Sequence, residues 1–96
     1  MSEDRIWFVY LLECTGGILY TGITPNLEAR FRKHCTGLGG HFTRSHAPVR
    51  MLAAEPCSGR DTASQLEYHV KRLSASEKRS LASRWGLTTG LPTRPE

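Results

Sequence analysis

Two apolar runs separated by the turn Thr15-Gly16-Gly17 constrain the fold of this chain more than any other feature. The run 6–14 is rich in aromatic and β-branched residues and is short for a helix, so it predicts a strand that is buried on both faces. The run 18–23 predicts a second strand, and the paired glycines between the runs are typical of a tight turn. Residues 6–23 are therefore expected to form a β-hairpin.

The length of the turn decides whether the two tyrosines of the hairpin, Tyr10 and Tyr20, share a face. A two-residue loop would pair Tyr10 with Ile23 and put the two rings on opposite faces, because side-chain direction alternates with period two. A three-residue loop pairs Tyr10 with Gly22 and puts both rings on one face. Such a loop needs a left-handed residue, which Gly17 supplies. If the two tyrosines act together, we expect the three-residue loop.

A helix and a third strand are expected after the hairpin. Thr24 is a suitable N-cap and Pro25 a suitable first helical residue, and this helix is expected to end by Gly37. A glycine-containing loop over 37–48 follows, and a loop of that length within a compact domain is often functional. The apolar run 49–55 then predicts the third strand.

Two further helices are predicted in the second half of the chain. Asp61 suits the N-cap of a helix over roughly 62–72, whose apolar residues recur at spacings of three and four. Ser74 and Glu77 have the spacing of a capping box, which predicts a third helix that ends at Gly86.

These elements predict an α+β fold in which a small three-stranded antiparallel sheet is flanked by about three helices. The length of 96 residues suits one domain, which we place over residues 1–87, and residues 88–96 are expected to form a loose C-terminal tail. No stretch is long and apolar enough to cross a bilayer, and the acidic start of the chain does not resemble a signal peptide. We therefore expect a soluble cytoplasmic protein with no membrane contact.

The charge of the chain is unevenly distributed. Its formal net charge is +4, and residues 27–50 contain five basic residues against the single acid Glu28, which suits a polyanionic partner such as nucleic acid. An ordinary scatter of surface charge would explain the same composition. The basic residues that we expect to contact nucleic acid are Arg32, Lys33, Arg44, Lys71 and Arg72.

The three cysteines of the chain are an odd number and include no CxxC pair. This pattern argues against a disulfide framework and against a sulfur-rich zinc site, and it favours reduced, partly buried thiols. One zinc constellation stays open, although its spacing matches no common zinc finger. Its members would be His34, Cys35, His41 and His46.

Five residues together offer the groups that hydrolyse a phosphodiester. The reaction needs an activated water, neutralisation of charge at the phosphate and a proton for the leaving oxygen. Tyrosine and histidine can transfer protons, arginine binds phosphate oxygens in a planar fork, and one carboxylate with waters can hold Mg²⁺. Taken one by one, each candidate also has a structural explanation, such as a strand aromatic or a solvated helix residue. The candidates are Tyr10, Tyr20, Arg30, His34 and Glu67.

The order of these residues resembles the GIY-YIG nuclease superfamily, and especially its small stand-alone bacterial members. The resemblance rests on Phe8-Val9-Tyr10 and Tyr20-Thr21-Gly22, followed by Arg30 and His34 at helical spacing and by Glu67 in a later helix. It spans about residues 6–82 of the chain.

The resemblance implies metal-dependent cleavage of one nucleic-acid strand, in DNA with RNA not excluded, by a fold of the kind predicted above. Tyr10 and Tyr20 match the two motif tyrosines, either of which can be the base in the family. We favour Tyr10 as the base and Tyr20 as the residue that positions the phosphate. Arg30 matches the phosphate-contacting arginine and His34 a proton-sharing histidine. Glu67 matches the ligand of a single Mg²⁺ or Mn²⁺.

Two other functions stay open at this point. The same basic residues would serve a non-catalytic nucleic-acid-binding module, and the same fold would serve a protein-interaction domain. The chain has no room for the fused DNA-binding domain of larger relatives, so we expect weak sequence preference or a protein partner that supplies specificity. DNA repair or recombination is the setting that we expect for the nuclease.

Overall fold

The computed structural model describes residues 5–37 and 45–94. These ranges form one antiparallel sheet of three strands in the order β2-β1-β3, together with three α-helices. The architecture confirms the predicted α+β class. The strands are β1 (Trp7–Cys14), β2 (Leu19–Thr24) and β3 (Pro48–Cys57), and the helices are α1 (Leu27–Cys35), α2 (Arg60–Lys71) and α3 (Ala75–Ala82). No helix among those described is long and apolar enough to cross a membrane.

The central strand β1 divides the core into two clusters, as expected for a strand that is buried on both faces. Val9 and Leu11 are fully buried in the cluster that includes residues of α2 and α3. Tyr10 and Leu12 point the other way and are fully buried in the cluster that includes Phe31 of α1. Side chains therefore alternate between two helical layers, and Tyr10 faces the layer that contains α1.

The hairpin turn has the length that places both tyrosines on one face. Residues Thr15–Gly17 form a short 3₁₀ turn, in which Gly16 and Gly17 both have positive φ, of 82° and 76°. Tyr10 pairs with Gly22, as the three-residue loop predicted. Only glycine adopts two consecutive left-handed conformations without steric cost, so the turn sets the register of the hairpin.

A charged cluster fixes this turn to the rest of the fold. Glu13 accepts a hydrogen bond from Arg50 Nε at 2.7 Å and another from Arg79 Nη2 at 3.2 Å. Arg79 Nη2 also donates to the carbonyl oxygen of Gly17 at 2.9 Å. The hydrogen bond from Arg50 is the main reason that the pKa of Glu13 is lowered. The carboxylate thus joins the turn to β3 and α3.

Two of the predicted helix starts were each wrong by two residues. The N-cap of α1 is Asn26, whose Oδ1 accepts a hydrogen bond from Ala29 N at 3.0 Å. Thr24 instead accepts from Asn26 N at 3.1 Å, which closes a local turn before the helix. The N-cap of α2 is Gly59 and makes no side-chain hydrogen bond, so Asp61 lies within the first turn. Its negative charge there still favours the helix N-terminus.

The start of α3 was predicted correctly and its end was not. Ser74 Oγ accepts from Glu77 N at 3.1 Å, and Glu77 Oε1 accepts from Ser74 N at 2.8 Å, which is the predicted capping box. The helix ends at Ala82, four residues before Gly86. Gly86 N instead donates to Glu55 Oε1 at 2.7 Å, so this glycine contacts β3 and does not cap the helix.

The segment 87–94, most of which was predicted to be loose, runs along the outer edge of β3. Leu87 and Ala54 exchange two backbone hydrogen bonds of 2.9 and 3.0 Å, and Arg94 N donates to Val49 O at 2.8 Å. Leu87 and Leu91 pack against the cluster around Tyr10. An uncovered edge strand would leave backbone donors and acceptors unpaired, and this segment satisfies part of that requirement.

We predict that Leu91→Ala lowers the free energy of unfolding by about 1–2 kcal/mol, since the side chain is partly buried against the core. Chemical denaturation of the purified protein measures the change. Thr89→Ala is the matched control, because Thr89 is exposed and its truncation should alter stability by less than about 0.5 kcal/mol. Equal stability of the two variants would show that the packing of the Leu91 side chain does not stabilise the fold.

Candidate active site

A hydrogen-bonded cluster centred on the hydroxyl group of Tyr10 lies between β1 and α1. The Tyr10 hydroxyl is 2.8 Å from His34 Nε2, and Arg30 Nε donates to the same oxygen at 3.2 Å. Tyr10 and His34 are both 0% exposed, although each carries polar atoms. Arg30 and His34 are four residues apart on α1, so the helix presents them side by side.

The chemistry of the partners sets the direction of the Arg30 hydrogen bond and allows Tyr10 to donate to His34. A guanidinium can only donate, so the Tyr10 oxygen accepts from Arg30. Burial, and secondly the charge of Arg30, lower the pKa of His34 from 6.5 to about 4, which makes the imidazole neutral at pH 7. A neutral imidazole nitrogen can accept, and His34 Nε2 is therefore positioned to receive the phenol proton of Tyr10.

The environment of Tyr10 makes it a poor base in the resting protein. Burial raises the pKa of Tyr10 from 10.0 to about 12, and the hydrogen bond and charge of Arg30 offset only part of this effect. The phenol is therefore protonated at neutral pH. A catalytic role for Tyr10 requires that its own proton leave as another arrives.

Tyr20 completes the aromatic side of the cluster. Its ring centroid lies 6.3 Å from that of Tyr10 and 5.1 Å from that of His34, with the histidine ring edge-on. Burial acts to lower the pKa of Arg30, but hydrogen bonds to Tyr10 and Tyr20 outweigh burial, so the pKa is raised. The guanidinium thus stays charged while it is held between two tyrosines.

Gly22 is a site residue that the sequence analysis missed. A Cβ atom at this position would lie 2.5 Å from the Tyr10 hydroxyl oxygen and 2.7 Å from the ring carbon that carries it. The tyrosine ring therefore lies directly over the backbone of its partner on β2. The predicted pairing of Tyr10 with Gly22 was the signal that could have identified this requirement.

Glu67 approaches the cluster from α2. Its side chain is 22% exposed, and its carboxylate lies 3.3 Å from Lys71 Nζ. Burial is the main cause that raises the pKa of Tyr10, and the negative charge of Glu67 adds to it. The carboxylate therefore lies within electrostatic range of the phenol. Mg²⁺ is commonly held by one or two carboxylates and several waters, so a single, partly exposed carboxylate such as Glu67 fits such an ion.

The zinc constellation is not formed by the residues that the structure describes. Within 5–37 and 45–94, no three histidine, cysteine or acidic side chains come together. His34 is instead engaged with Tyr10, and His41 lies outside the described residues.

The predicted nucleic-acid contacts fall on different sides of the molecule. With about 100° per residue, Lys33 lies roughly 60° from Arg30 around α1, while Arg32 lies about 160° away. Arg32 pairs with Glu28 at 3.9 Å, and both side chains are largely exposed. Lys71 lies beside Glu67, and Arg72 follows it at the end of α2. Arg44 lies outside the described residues.

Residues 6–80 match the family model described as the GIY-YIG catalytic domain. The chain therefore belongs to the GIY-YIG family, a family of nuclease-type domains, as the resemblance indicated. A UPF0213 protein of Cupriavidus necator is 42% identical over 83 residues, which cover 86% of this chain and 90% of that protein. A UPF0213 protein of Desulfotalea psychrophila is 45% identical over 81 residues, which cover 83% of this chain and 74% of that protein.

A solved structure supports the same assignment. The solution NMR structure of a UPF0213 protein from Bacillus halodurans is 38% identical to this chain and superposes with a TM-score of 0.53. The match covers 84% of this chain and 87% of that one. The chain is thus similar to small bacterial proteins that consist of little more than this domain.

We predict that acid destabilises the protein partly through His34. The folded-state pKa is about 4 against 6.5 for the free side chain, so the unfolded state binds the proton more readily. The contribution of the neutral His34 side chain to the free energy of unfolding is fully present above pH 6.5. It is lost as the pH falls toward 4, which costs up to about 3 kcal/mol. His34→Gln should flatten this part of the pH profile of unfolding free energy, whereas the exposed His69→Gln should not. Identical slopes in all three proteins would contradict the burial of a neutral imidazole.

We also predict that Gly22→Ala displaces the Tyr10 ring and costs about 1–3 kcal/mol of folding free energy, as overpacking usually does. Combining the change with Tyr10→Leu provides the control. Without the ring, the added methyl group meets less resistance, and the cost of Gly22→Ala should shrink. Strictly additive costs in this double-mutant cycle would show that the two residues do not interact.

Proposed function

We propose that this protein is a divalent-metal-dependent endonuclease that hydrolyses phosphodiester bonds in DNA. The observation that carries the proposal is the fully buried Tyr10–His34 hydrogen bond with a charged arginine on the same oxygen. Burying polar and charged groups costs free energy, and such costs are concentrated at functional sites. Membership of a nuclease-type family supports the same conclusion.

Arg30 is the proposed phosphate ligand. The guanidinium has five N–H donors in a planar fork, and the Nε donor is the one held by Tyr10. Its raised pKa keeps the positive charge that a phosphate requires. Tyr20, which lies on the same face as Tyr10, would help to position the phosphate.

Once substrate binding admits a water to the buried Tyr10 oxygen, a proton relay through Tyr10 would activate that water without a free phenolate. As the Tyr10 oxygen takes a proton from water, the phenol proton moves to His34 Nε2, so the hydroxide attacks phosphorus and the histidine becomes charged. Phosphate bound at Arg30 would offset the positive charge that helps to lower the pKa of His34. Substrate binding therefore makes the histidine a better proton acceptor at the moment when it is needed.

Glu67 is the residue that would hold a single Mg²⁺ or Mn²⁺. When bound, such an ion supplies positive charge that neutralises the phosphate and stabilises the departing oxygen. Lys71 forms an ion pair with the Glu67 carboxylate, so the metal ion would compete with the Lys71 ammonium group for Glu67.

Several finer features stay predictions from the sequence. They are the preference for DNA over RNA, a role in repair or recombination, a cytoplasmic location, and a protein partner that supplies specificity. Lys33 and Lys71 are the proposed contacts with the nucleic-acid backbone, since they lie about 60° from Arg30 and about 40° from Glu67 around their helices, while Arg32 faces away from Arg30. Arg72, at the end of α2, stays a predicted nucleic-acid contact.

We predict that Glu67→Gln and Tyr10→Phe each reduce cleavage at least about 100-fold, because one removes the metal-binding charge and the other breaks the relay. Labelled single-stranded, duplex and branched DNA, incubated with Mg²⁺, Mn²⁺ or chelator, provides the measurement. Glu28→Gln is the matched control, since Glu28 is an exposed acid on α1 paired with Arg32. Full cleavage by a folded Glu67→Gln protein would remove Glu67 from the mechanism.

A non-catalytic nucleic-acid-binding module is the second candidate. The ion pair between Lys71 and Glu67 favours it, because the carboxylate is already neutralised in this structure. Salt-sensitive binding that persists in chelator, without cleavage by any metal, would establish this function in place of the nuclease.

A further inference from the structure

Tyr68 on α2 carries an exposed aromatic ring that the proposed chemistry does not use. The residue is 60% exposed, and it is the one aromatic among the large hydrophobic residues that lie exposed in the described ranges. A tyrosine offers a flat apolar surface with low conformational entropy, so exposed tyrosines are frequent at binding surfaces.

The ring is held in place by two polar neighbours. The guanidinium carbon of Arg72 lies 5.5 Å from the ring centroid, and Arg72 Nη1 donates to the Tyr68 hydroxyl at 3.2 Å. The His69 ring lies edge-on to Tyr68 at a centroid distance of 5.5 Å. An aromatic ring combined with an arginine is the arrangement on which unpaired nucleobases stack.

The position of Tyr68 on α2 connects it to the candidate active site. Taking about 100° per residue, Lys71, Tyr68 and Arg72 follow Glu67 around the helix at roughly 40°, 100° and 140°. Lys71 Nζ lies 3.3 Å from the Glu67 carboxylate and thus stands between the metal-binding residue and the ring. A strand whose phosphate lies near Glu67 would pass Lys71 and bring its next base to Tyr68.

We propose that Tyr68 and Arg72 form a stacking platform for an unpaired nucleobase that flanks the phosphate at the active site. This inference rests on the proposed nuclease function and specifies its substrate class. Bases in a blunt duplex already stack on each other, so only single-stranded, frayed or branched nucleic acid presents a free base face. The protein should therefore prefer substrates with unpaired nucleotides next to the cleavage position.

Equilibrium binding in chelator tests the platform without interference from cleavage. Fluorescence anisotropy would compare a labelled single-stranded oligonucleotide with the blunt duplex of the same sequence, at fixed salt. Tyr68→Leu should raise the Kd for the single strand about tenfold, in the range of one lost base stack, and should change the Kd for the duplex by less than about twofold. Tyr68→Phe keeps the ring and should bind the single strand nearly as wild type does.

A charge-matched control separates stacking from simple attraction. Arg60 lies over the Trp7 ring at 5.5 Å, about 18 Å along α2 from Arg72. Arg72→Ala should weaken binding to the single strand more than to the duplex, whereas Arg60→Ala should weaken both equally or not at all. Equal effects of Tyr68→Leu on both nucleic acids, or no effect on either, would overturn the platform.

The two proposals fail in distinguishable ways. Wild-type protein that neither binds nucleic acid in a salt-sensitive manner nor cleaves it would overturn the nuclease function and the platform together. Metal-dependent cleavage that is retained, with no difference between Tyr68→Leu and wild type on single strands, would overturn the platform alone.

Discussion

The hydrogen bond between Tyr10 and His34 is the interaction on which the arrangement of the site depends. It joins the central strand to α1 through groups that are fully removed from water, and Arg30 adds a charge to the same oxygen. In such an environment an unpaired polar atom is costly, so the three side chains hold each other in one geometry. The same burial that orders them also sets their protonation, with a neutral imidazole and a protonated phenol.

The sheet supplies this geometry by keeping its two faces separate. The α1 face of β1 carries Tyr10 and faces the arginine and histidine, while the opposite face packs against α2 and α3. Glu67 comes from α2, a helix on the opposite face of the sheet from α1. The candidate site therefore combines residues from both sides of the sheet, beside strands β1 and β2. A small domain can thus combine a rigid aromatic cluster with a carboxylate that stays partly exposed to solvent and ions.

Much of this fold follows from local rules in the sequence. The turn length and the two-residue period of strands determine the register that unites Tyr10 with Gly22, and the capping box of α3 is visible in two residues. Thr24 and Asn26 are both good cap residues two positions apart, so the start of α1 depends on a local turn that composition does not reveal. The convergence of the tyrosines, Arg30 and His34 was expected from the family resemblance. Their protonation was not, because burial is a property of the folded chain.

The packing around the candidate site is complete only with the segment from Leu87 to Arg94 in place. This segment follows every described strand and helix, yet it pairs with β3 and packs against the cluster that surrounds Tyr10 on the earliest strand. The packing around the candidate site therefore joins residues from the first described strand and from the last described segment. A chain without this segment would leave one edge of β3 uncovered and the packing against the Tyr10 cluster incomplete.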